Sequence, residues 1–146
     1  MFSSPRLLKQ TLNSLENIVI STIKGEHLFW CNQYTLKTLG FDSIEALLKT
    51  HHCICDFFIE DKKKGYIGKY VDTLNWIDYA LKHQDKQNIK VKLKIHNKME
   101  VYALKVYPID YDEQSRYVVI MQNITQLEKT SIALKKYQIQ LQKKSH

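Results

Sequence analysis

The sequence feature that most constrains the fold is a direct passage from a buried strand into a long polar helix near the C-terminus. Residues 117–121 form an apolar run typical of a strand, and a segment with helical spacing follows without Gly or Pro. Thr125 and Glu128 have capping-box spacing, in which the hydroxyl accepts from the Glu128 amide and the carboxylate accepts from the Thr125 amide. The helix is therefore predicted to begin where the strand ends.

The predicted C-terminal helix has one narrow apolar seam. Leu127, Leu134 and Leu141 recur every seven residues, whereas Lys, Gln and Glu fill most other positions. Such a seam cannot fold back into a large core, and it favours a partner helix. Leu8 and Leu12 place a similar stripe on a short N-terminal helix. A homodimer held by these helices is predicted.

Length and composition indicate one globular domain with a short appendage. The chain has 146 residues, of which 44% are hydrophobic and 25% charged, and its net charge is +7. The lysines are dispersed over strand, loop and helix faces, so no nucleic-acid partner is predicted. No apolar run approaches the roughly 20 residues that span a bilayer, and the first residues do not resemble a signal peptide. A cytoplasmic location is expected.

The first half of the chain has the pattern of a hairpin followed by short helices. β-branched residues dominate 17–23, and a turn separates them from a second strand at 27–31. Asn32 is placed as an N-cap for a helix that ends at Gly40, and Ser43 caps the next helix.

The second half is predicted to be one helix and three strands. Residues 51–69 have no clear pattern, but helical spacing of apolar residues predicts a helix over 70–81. Alternating residues predict strands at 88–96 and 100–109, and the apolar run at 116–123 completes an antiparallel sheet. The fold class is therefore α+β.

The densest group of possible metal ligands is His51, His52, Cys53 and Cys55. A structural zinc site normally takes four ligands as two separated pairs, so a helix boundary with buried thiols is favoured over a metal or redox site. The chain has three cysteines, an odd number in a protein too large to need stapling. Reduced thiols are predicted for all of them, including Cys31.

Several short motifs, taken in order, resemble those of PAS domains. The strand-to-helix signature of that family is matched by residues 30–34, 39–41 and 45–48. Residues 107–110 resemble the end of its fourth strand, and residues 122–125 resemble the Asp-Ile-Thr that closes the domain. The resemblance covers about residues 6–140.

The PAS resemblance implies a fold and a function. It implies a five-stranded antiparallel sheet with short helices on one face, an N-terminal helix at 1–15, a sensor domain at 16–125 and a signalling helix at 126–146. The chain would be a sensory or dimerisation module of a bacterial signalling protein. It would relay occupancy by a small molecule, or dimer repacking, to a fused or associated histidine kinase or diguanylate cyclase. The alternative is a purely structural dimerisation module. No catalytic motif is present in the sequence, so no enzymatic activity is expected.

The resemblance also implies candidate sites. Core packing is the favoured interpretation of the strand residues that face the helices, and a small-molecule pocket is the alternative. These residues are Val19, Ser21, Tyr102, Leu104, Val106, Tyr117, Val119 and Met121. Signal relay is assigned to Asn123, Ile124, Thr125 and Glu128. Asn123 stands where the family has an acidic residue, and it cannot form an ion pair.

The sequence leaves the cofactor unassigned. The Asn-Cys-Arg-Phe-Leu motif of the flavin-binding, light-oxygen-voltage branch has no counterpart here. Haem-binding relatives need an axial His, whereas His83 at the end of the predicted helix suits an exposed C-terminal cap. Neither haem nor metal is predicted.

Overall fold

The computed structural model describes residues 16–109 and 116–144. The elements in chain order are β1 Ile18–Ile23, β2 His27–Cys31, α1 Gln33–Leu39, α2 Ile44–Thr50, a 3-10 helix Ile54–Phe57, β3 Tyr70–Val71, β4 Leu74–Asn75, α3 Trp76–His83, β5 Ile89–Ile95, β6 Lys98–Ile109, β7 Arg116–Asn123 and α4 Thr125–Lys144. Leu8 and Leu12, with the predicted N-terminal helix, lie outside the described residues. None of the helices in the described ranges has the length and apolar character needed to cross a bilayer.

The main sheet has five antiparallel strands in the order β2-β1-β7-β6-β5, and β3 and β4 form a separate hairpin. The first and last strands in sequence therefore lie side by side, and β7 occupies the centre of the sheet. This arrangement confirms the predicted α+β class and the five-stranded sheet. It also means that α4 continues from the strand most enclosed by neighbours.

The hydrophobic core lies between one face of the sheet and helices α1 to α3. Residues paired directly across neighbouring strands point to the same face. Val119 pairs with Ile20 on one side and with Val106 on the other, and all three side chains are buried. The helices contribute Leu47 and Trp76, both fully buried, to the same cluster. Thus one continuous core fixes the position of β7.

The pairing of β1 corrects the predicted orientation of Val19 and Ser21. Because Ile20 pairs with Val119, alternation places Val19 and Ser21 on the opposite face of the sheet, away from the helices. The prediction was wrong because four of the six residues of β1 are apolar and five of the six are buried. A strand buried on both faces has no alternation from which its phase can be inferred.

The predicted helix over 70–81 is correct only in its second half. Residues 70–75 form the β3–β4 hairpin, with Asp72 at a positive φ of 56° in the turn. Helix α3 starts afterwards because the side chain of Asn75 accepts a hydrogen bond from the Asp78 amide at 2.9 Å. The helical spacing of apolar residues continues across the boundary between the hairpin and α3, so this spacing alone does not show where the helix starts.

Within residues 51–69, which had no clear pattern, residues 59–67 cover the β5 edge of the sheet. The Ile59 amide donates to the Lys92 carbonyl at 2.8 Å, and the Ile67 amide donates to the Lys90 carbonyl at 3.0 Å. These bonds occupy backbone groups of β5 that would otherwise face solvent.

The turn between β5 and β6 is tighter than predicted. Ile95 pairs with Lys98, so β6 begins at Lys98 rather than at residue 100. His96 takes a positive φ of 57° in this turn. The structure therefore places Lys98 and Glu100 on the same face of one strand.

Asn32 ties α1 to β1. Its side chain is fully buried, and its oxygen accepts from the Thr35 amide at 3.1 Å and from the Val19 amide at 3.3 Å. Its side-chain nitrogen donates to the Asn17 carbonyl at 2.9 Å. The predicted cap is confirmed and serves two elements at once.

We expect Asn32→Ala to lower the free energy of unfolding by about 2–4 kcal/mol, since it removes a cap and leaves buried amides unpaired. Ser43→Ala removes only the cap of α2, in which the Ser43 hydroxyl accepts from the Ala46 amide at 3.1 Å, and should cost about 1 kcal/mol. Urea denaturation of both variants measures the difference. Equal losses would contradict the double role of Asn32.

Candidate functional site

The start of α4 is held by a polar cluster, here called the helix joint, which comprises Lys90, Glu100, Asn123, Thr125 and Glu128. The Thr125 hydroxyl donates to a carboxylate oxygen of Glu100, and the Thr125 amide donates to the Asn123 side-chain oxygen at 2.9 Å. Glu128 lies one turn further along, with its carboxylate 2.8 Å from the Lys90 ammonium. Strands β5, β6 and β7 all contribute to the joint.

The predicted capping box between Thr125 and Glu128 does not form. The Thr125 hydroxyl oxygen accepts instead from the Val101 amide of β6 at 2.8 Å, and the Glu128 amide donates to the Ile124 carbonyl at 2.8 Å. The β6–β7 pairing ends at Tyr102 and Asn123, so the Val101 amide needs another acceptor. Thr125 supplies that acceptor, and its hydroxyl is no longer available to its own helix.

Glu100 carries the negative charge of the joint. Its side chain is 14% exposed, and its oxygens accept from Lys98 at 2.8 Å, from Thr125 and from Asn123 at 3.4 Å. Burial alone would raise the pKa of Glu100, but these three hydrogen bonds outweigh it and hold that pKa below its ordinary value. Asn123 carries no charge, so Glu100 provides the carboxylate that Thr125 and Asn123 contact.

A second tie runs from α4 to the edge of the sheet. The Lys90–Glu128 ion pair is partly buried, with 33% and 17% of the two side chains exposed. Tyr66, in the segment that covers β5, forms an isolated parallel bridge with Lys90. Burial and the nearby Glu128 carboxylate raise the pKa of Tyr66. The first turn of α4 is thus held from two sides.

Beyond its first turn, α4 extends away from the domain. The seam residues Leu127, Leu134 and Leu141 are 66%, 56% and 48% exposed. Ile132 and Ile139 form a second exposed apolar stripe on a different side of the helix. The seam is present and open to solvent in the described part of the chain.

Six predicted pocket residues do face the helices, as their strand pairing requires. Five of them lie in the core with at most 2% of their surface exposed: Tyr102, Leu104, Val106, Val119 and Met121. Tyr117 is partly buried and packs against that core. Their role in ligand binding stays a prediction.

A cleft of about 520 Å³, here called the rim cleft, lies beside the helix joint. Its lining includes Tyr34 and Lys37 of α1, Lys98, Glu100 and Tyr102 of β6, and Asn123 of β7. Burial raises the pKa of Tyr102 to about 12, so its hydroxyl stays protonated at neutral pH. Sequence analysis missed this cleft, because α1 and the β5–β6 hairpin are far apart in the chain.

The prediction of three reduced thiols was wrong for two of them. Cys53 and Cys55 form a disulfide, whereas Cys31 is a buried free thiol whose pKa burial raises to about 11. The prediction used the number of cysteines, which contains no information on their separation in space.

His51 lies 3.7 Å from the Asp56 carboxylate. Residues 16–109 and 116–144 contain no group of three or more His, Cys, Asp or Glu side chains placed to hold a metal.

Comparison with known proteins identifies the fold. No family model matches the sequence, and no curated protein matches it either. Among solved structures, the PAS domain of nitrogen regulation protein NR(II) from Vibrio parahaemolyticus is 15% identical, with a TM-score of 0.54 over 84% of this chain and 100% of that one. A PAS domain from a two-component sensor histidine kinase is 7% identical, with a TM-score of 0.55 over 81% and 94% of the two chains.

A third match includes nearly the whole of this chain. An RNA-binding light-oxygen-voltage receptor is 9% identical, with a TM-score of 0.61 over 97% of this chain and 39% of that one. At these identities the similarities concern architecture alone. The chain has the PAS fold.

The low pKa of Glu100 predicts a pH-dependent stability. A carboxylate whose pKa is lower in the folded state stabilises the fold above its unfolded pKa, and that contribution is lost as pH falls through the folded pKa. We expect Glu100→Gln to cost about 1.5–3 kcal/mol at pH 7 and progressively less below about pH 4. Chemical denaturation from pH 7 to pH 3 measures this difference.

Glu26→Gln is the matched control, because Glu26 is exposed in the β1–β2 turn. Its effect should stay below about 0.5 kcal/mol at every pH. If the cost of Glu100→Gln did not change with pH, the charge of Glu100 would have no part in holding the joint.

Proposed function

We propose that this chain is a non-enzymatic sensory module of a signalling protein, and that α4 carries its output to an effector such as a histidine kinase or diguanylate cyclase. The observation that supports this most directly is the helix joint, in which Thr125 links the first turn of α4 to the backbone of β6. The PAS fold of a two-component sensor histidine kinase is consistent with such a role. Occupancy by a small molecule, or repacking of a homodimer, would supply the signal.

The mechanism follows from the position of β7. Val119 and Met121 belong to the core on one side of this strand, and Asn123 at its end belongs to the helix joint. Because packed interiors deform little, a change in the core would move β7 as a unit. The joint would then pass from a held to a released arrangement, and α4 would change its direction.

Releasing α4 from the sheet costs free energy, because two interactions that hold its first turn are lost. Releasing α4 breaks the bond from the Val101 amide to Thr125 and the Lys90–Glu128 ion pair. A buried amide without an acceptor costs about 1–3 kcal/mol, whereas a partly exposed ion pair contributes about 1 kcal/mol or less. Thr125 is therefore the dominant tie, and Glu128 is the weaker one.

Thr125→Val keeps the shape of the side chain but removes the hydroxyl. We expect it to weaken the joint by about 1–3 kcal/mol, seen as faster hydrogen exchange at the Val101 amide and in the first turn of α4. In the full-length signalling protein it should uncouple output from the sensor. Thr130→Val is the control, since Thr130 is exposed on the same helix. Unchanged exchange and unchanged output in Thr125→Val would refute the relay.

A second candidate function, dimerisation without any ligand, is favoured by the filled core and the exposed seam of Leu127, Leu134 and Leu141. Native mass spectrometry distinguishes the two candidates: a retained small molecule favours the sensor. A ligand-free dimer favours the structural module if, in addition, no compound in a thermal-shift screen stabilises the protein.

The dimer itself is tested by Leu134→Asn, with Ile132→Asn as the control. Both positions are exposed aliphatic residues of α4, but they point to different sides of the helix. We expect Leu134→Asn to raise the dimer dissociation constant about tenfold or more, because a polar side chain in the seam loses apolar burial. Ile132→Asn should leave it within about twofold. Sedimentation equilibrium measures both. Equal effects would place the interface elsewhere.

A further inference from the structure

The rim cleft has hydrogen-bond donors on two of its walls. Tyr34, Lys37 and Thr38 of α1 line one wall, and Lys98 and Tyr102 of β6 line the other. Tyr102 is 1% exposed and its hydroxyl bonds Asn123, so the donors open to the cleft are those of Tyr34, Thr38 and the two lysine ammonium groups. Hydroxyl and ammonium groups from two separate elements therefore surround one space.

The acidic side chains of the cleft do not reverse this character. Glu100 accepts hydrogen bonds from Lys98, Thr125 and Asn123, so its charge is compensated within the protein, and Lys98 is one of the groups that compensate it. Glu16 is the other carboxylate in the lining, and it is exposed. His96, also exposed, lies at the same hairpin and adds an imidazole to the lining.

The size of the cleft suits a small metabolite. Its volume of about 520 Å³ lies within the roughly 300–1,000 Å³ of typical small-molecule sites. By contrast, the helix-side strand residues are packed into the core with at most 2% exposure for five of six. A ligand can enter the rim cleft without displacing core side chains.

We propose that the rim cleft is a binding site for a small anion bearing a carboxylate or phosphate group, held by Tyr34, Lys37 and Lys98. Binding at this site does not depend on the sensory role proposed above, but its effect on output rests on that role. The anion competes with Glu100 for Lys98, whose side chain is 78% exposed and free to turn toward the cleft. Glu100 then loses one of its three hydrogen-bond donors, and its hold on Thr125 changes.

The test is a titration of the ¹⁵N-labelled chain with inorganic phosphate and, separately, with succinate, at constant ionic strength set by sodium chloride. We expect saturable shifts of the amide signals of Tyr34, Lys37 and Lys98. Lys37→Gln and Tyr34→Phe should each weaken binding roughly threefold to tenfold. Lys94→Gln is the control because Lys94 is exposed on the same hairpin but outside the cleft, and it should change affinity less than about twofold.

Either probe binding more tightly supports the site and identifies the preferred anion. Shifts that stay linear with concentration for both probes would overturn the proposal, and so would an affinity that survives both Lys37→Gln and Tyr34→Phe. Tyr34→Phe preserves the ring, so it keeps the test valid if Lys37→Gln fails to fold.

Coupling to the joint is measured in the same samples by hydrogen exchange at Thr125. Saturable binding with unchanged exchange at Thr125 would overturn the coupling while supporting the site. Failure of the signalling role alone would appear as unchanged output in Thr125→Val, with anion binding intact. The two proposals can therefore fail separately.

Discussion

The start of α4 depends on one hydrogen bond, from the Val101 amide to the Thr125 hydroxyl. The β6–β7 pairing stops at Tyr102 and Asn123, and the next backbone groups of β6 would otherwise lack partners. Thr125 accepts from the Val101 amide, and the Ile124 amide donates to the Val101 carbonyl at 2.8 Å. The sheet therefore continues its bonding pattern into the first residue of the helix, which fixes where the helix can start.

The charge around this bond comes from one carboxylate and one amide on neighbouring strands. Glu100 supplies the carboxylate from β6, and Asn123 supplies an amide that bonds both Glu100 and Thr125. The negative charge of the joint therefore lies on β6, and the end of β7 carries a neutral amide. A carboxylate on β6 can also interact with the rim cleft through Lys98, which links the joint to the solvent.

The parts of the structure that could be predicted are those encoded by local periodicity. The alternation of β5 set its buried face, and Asn32 and Gly40 bounded α1 as expected. Where local signals were ambiguous, the prediction failed: β1 is apolar on both faces, so Val19 and Ser21 were assigned to the wrong side. The capping box failed for another reason, since Thr125 found a partner 24 residues away that no local pattern reveals.

The dependence on local signals also explains why the sequence did not predict the rim cleft. Ligand residues were sought along strands, where apolar side chains mostly fill a core, and five of the six on the helix side are nearly inaccessible. Polar groups that can meet a ligand must come from elements brought together by folding, such as Tyr34 on α1 and Lys98 on β6. Because Lys98 also bonds Glu100, a molecule bound in the rim cleft, as proposed, would act on the helix joint through a single side chain, whereas one in the core would first have to move β7.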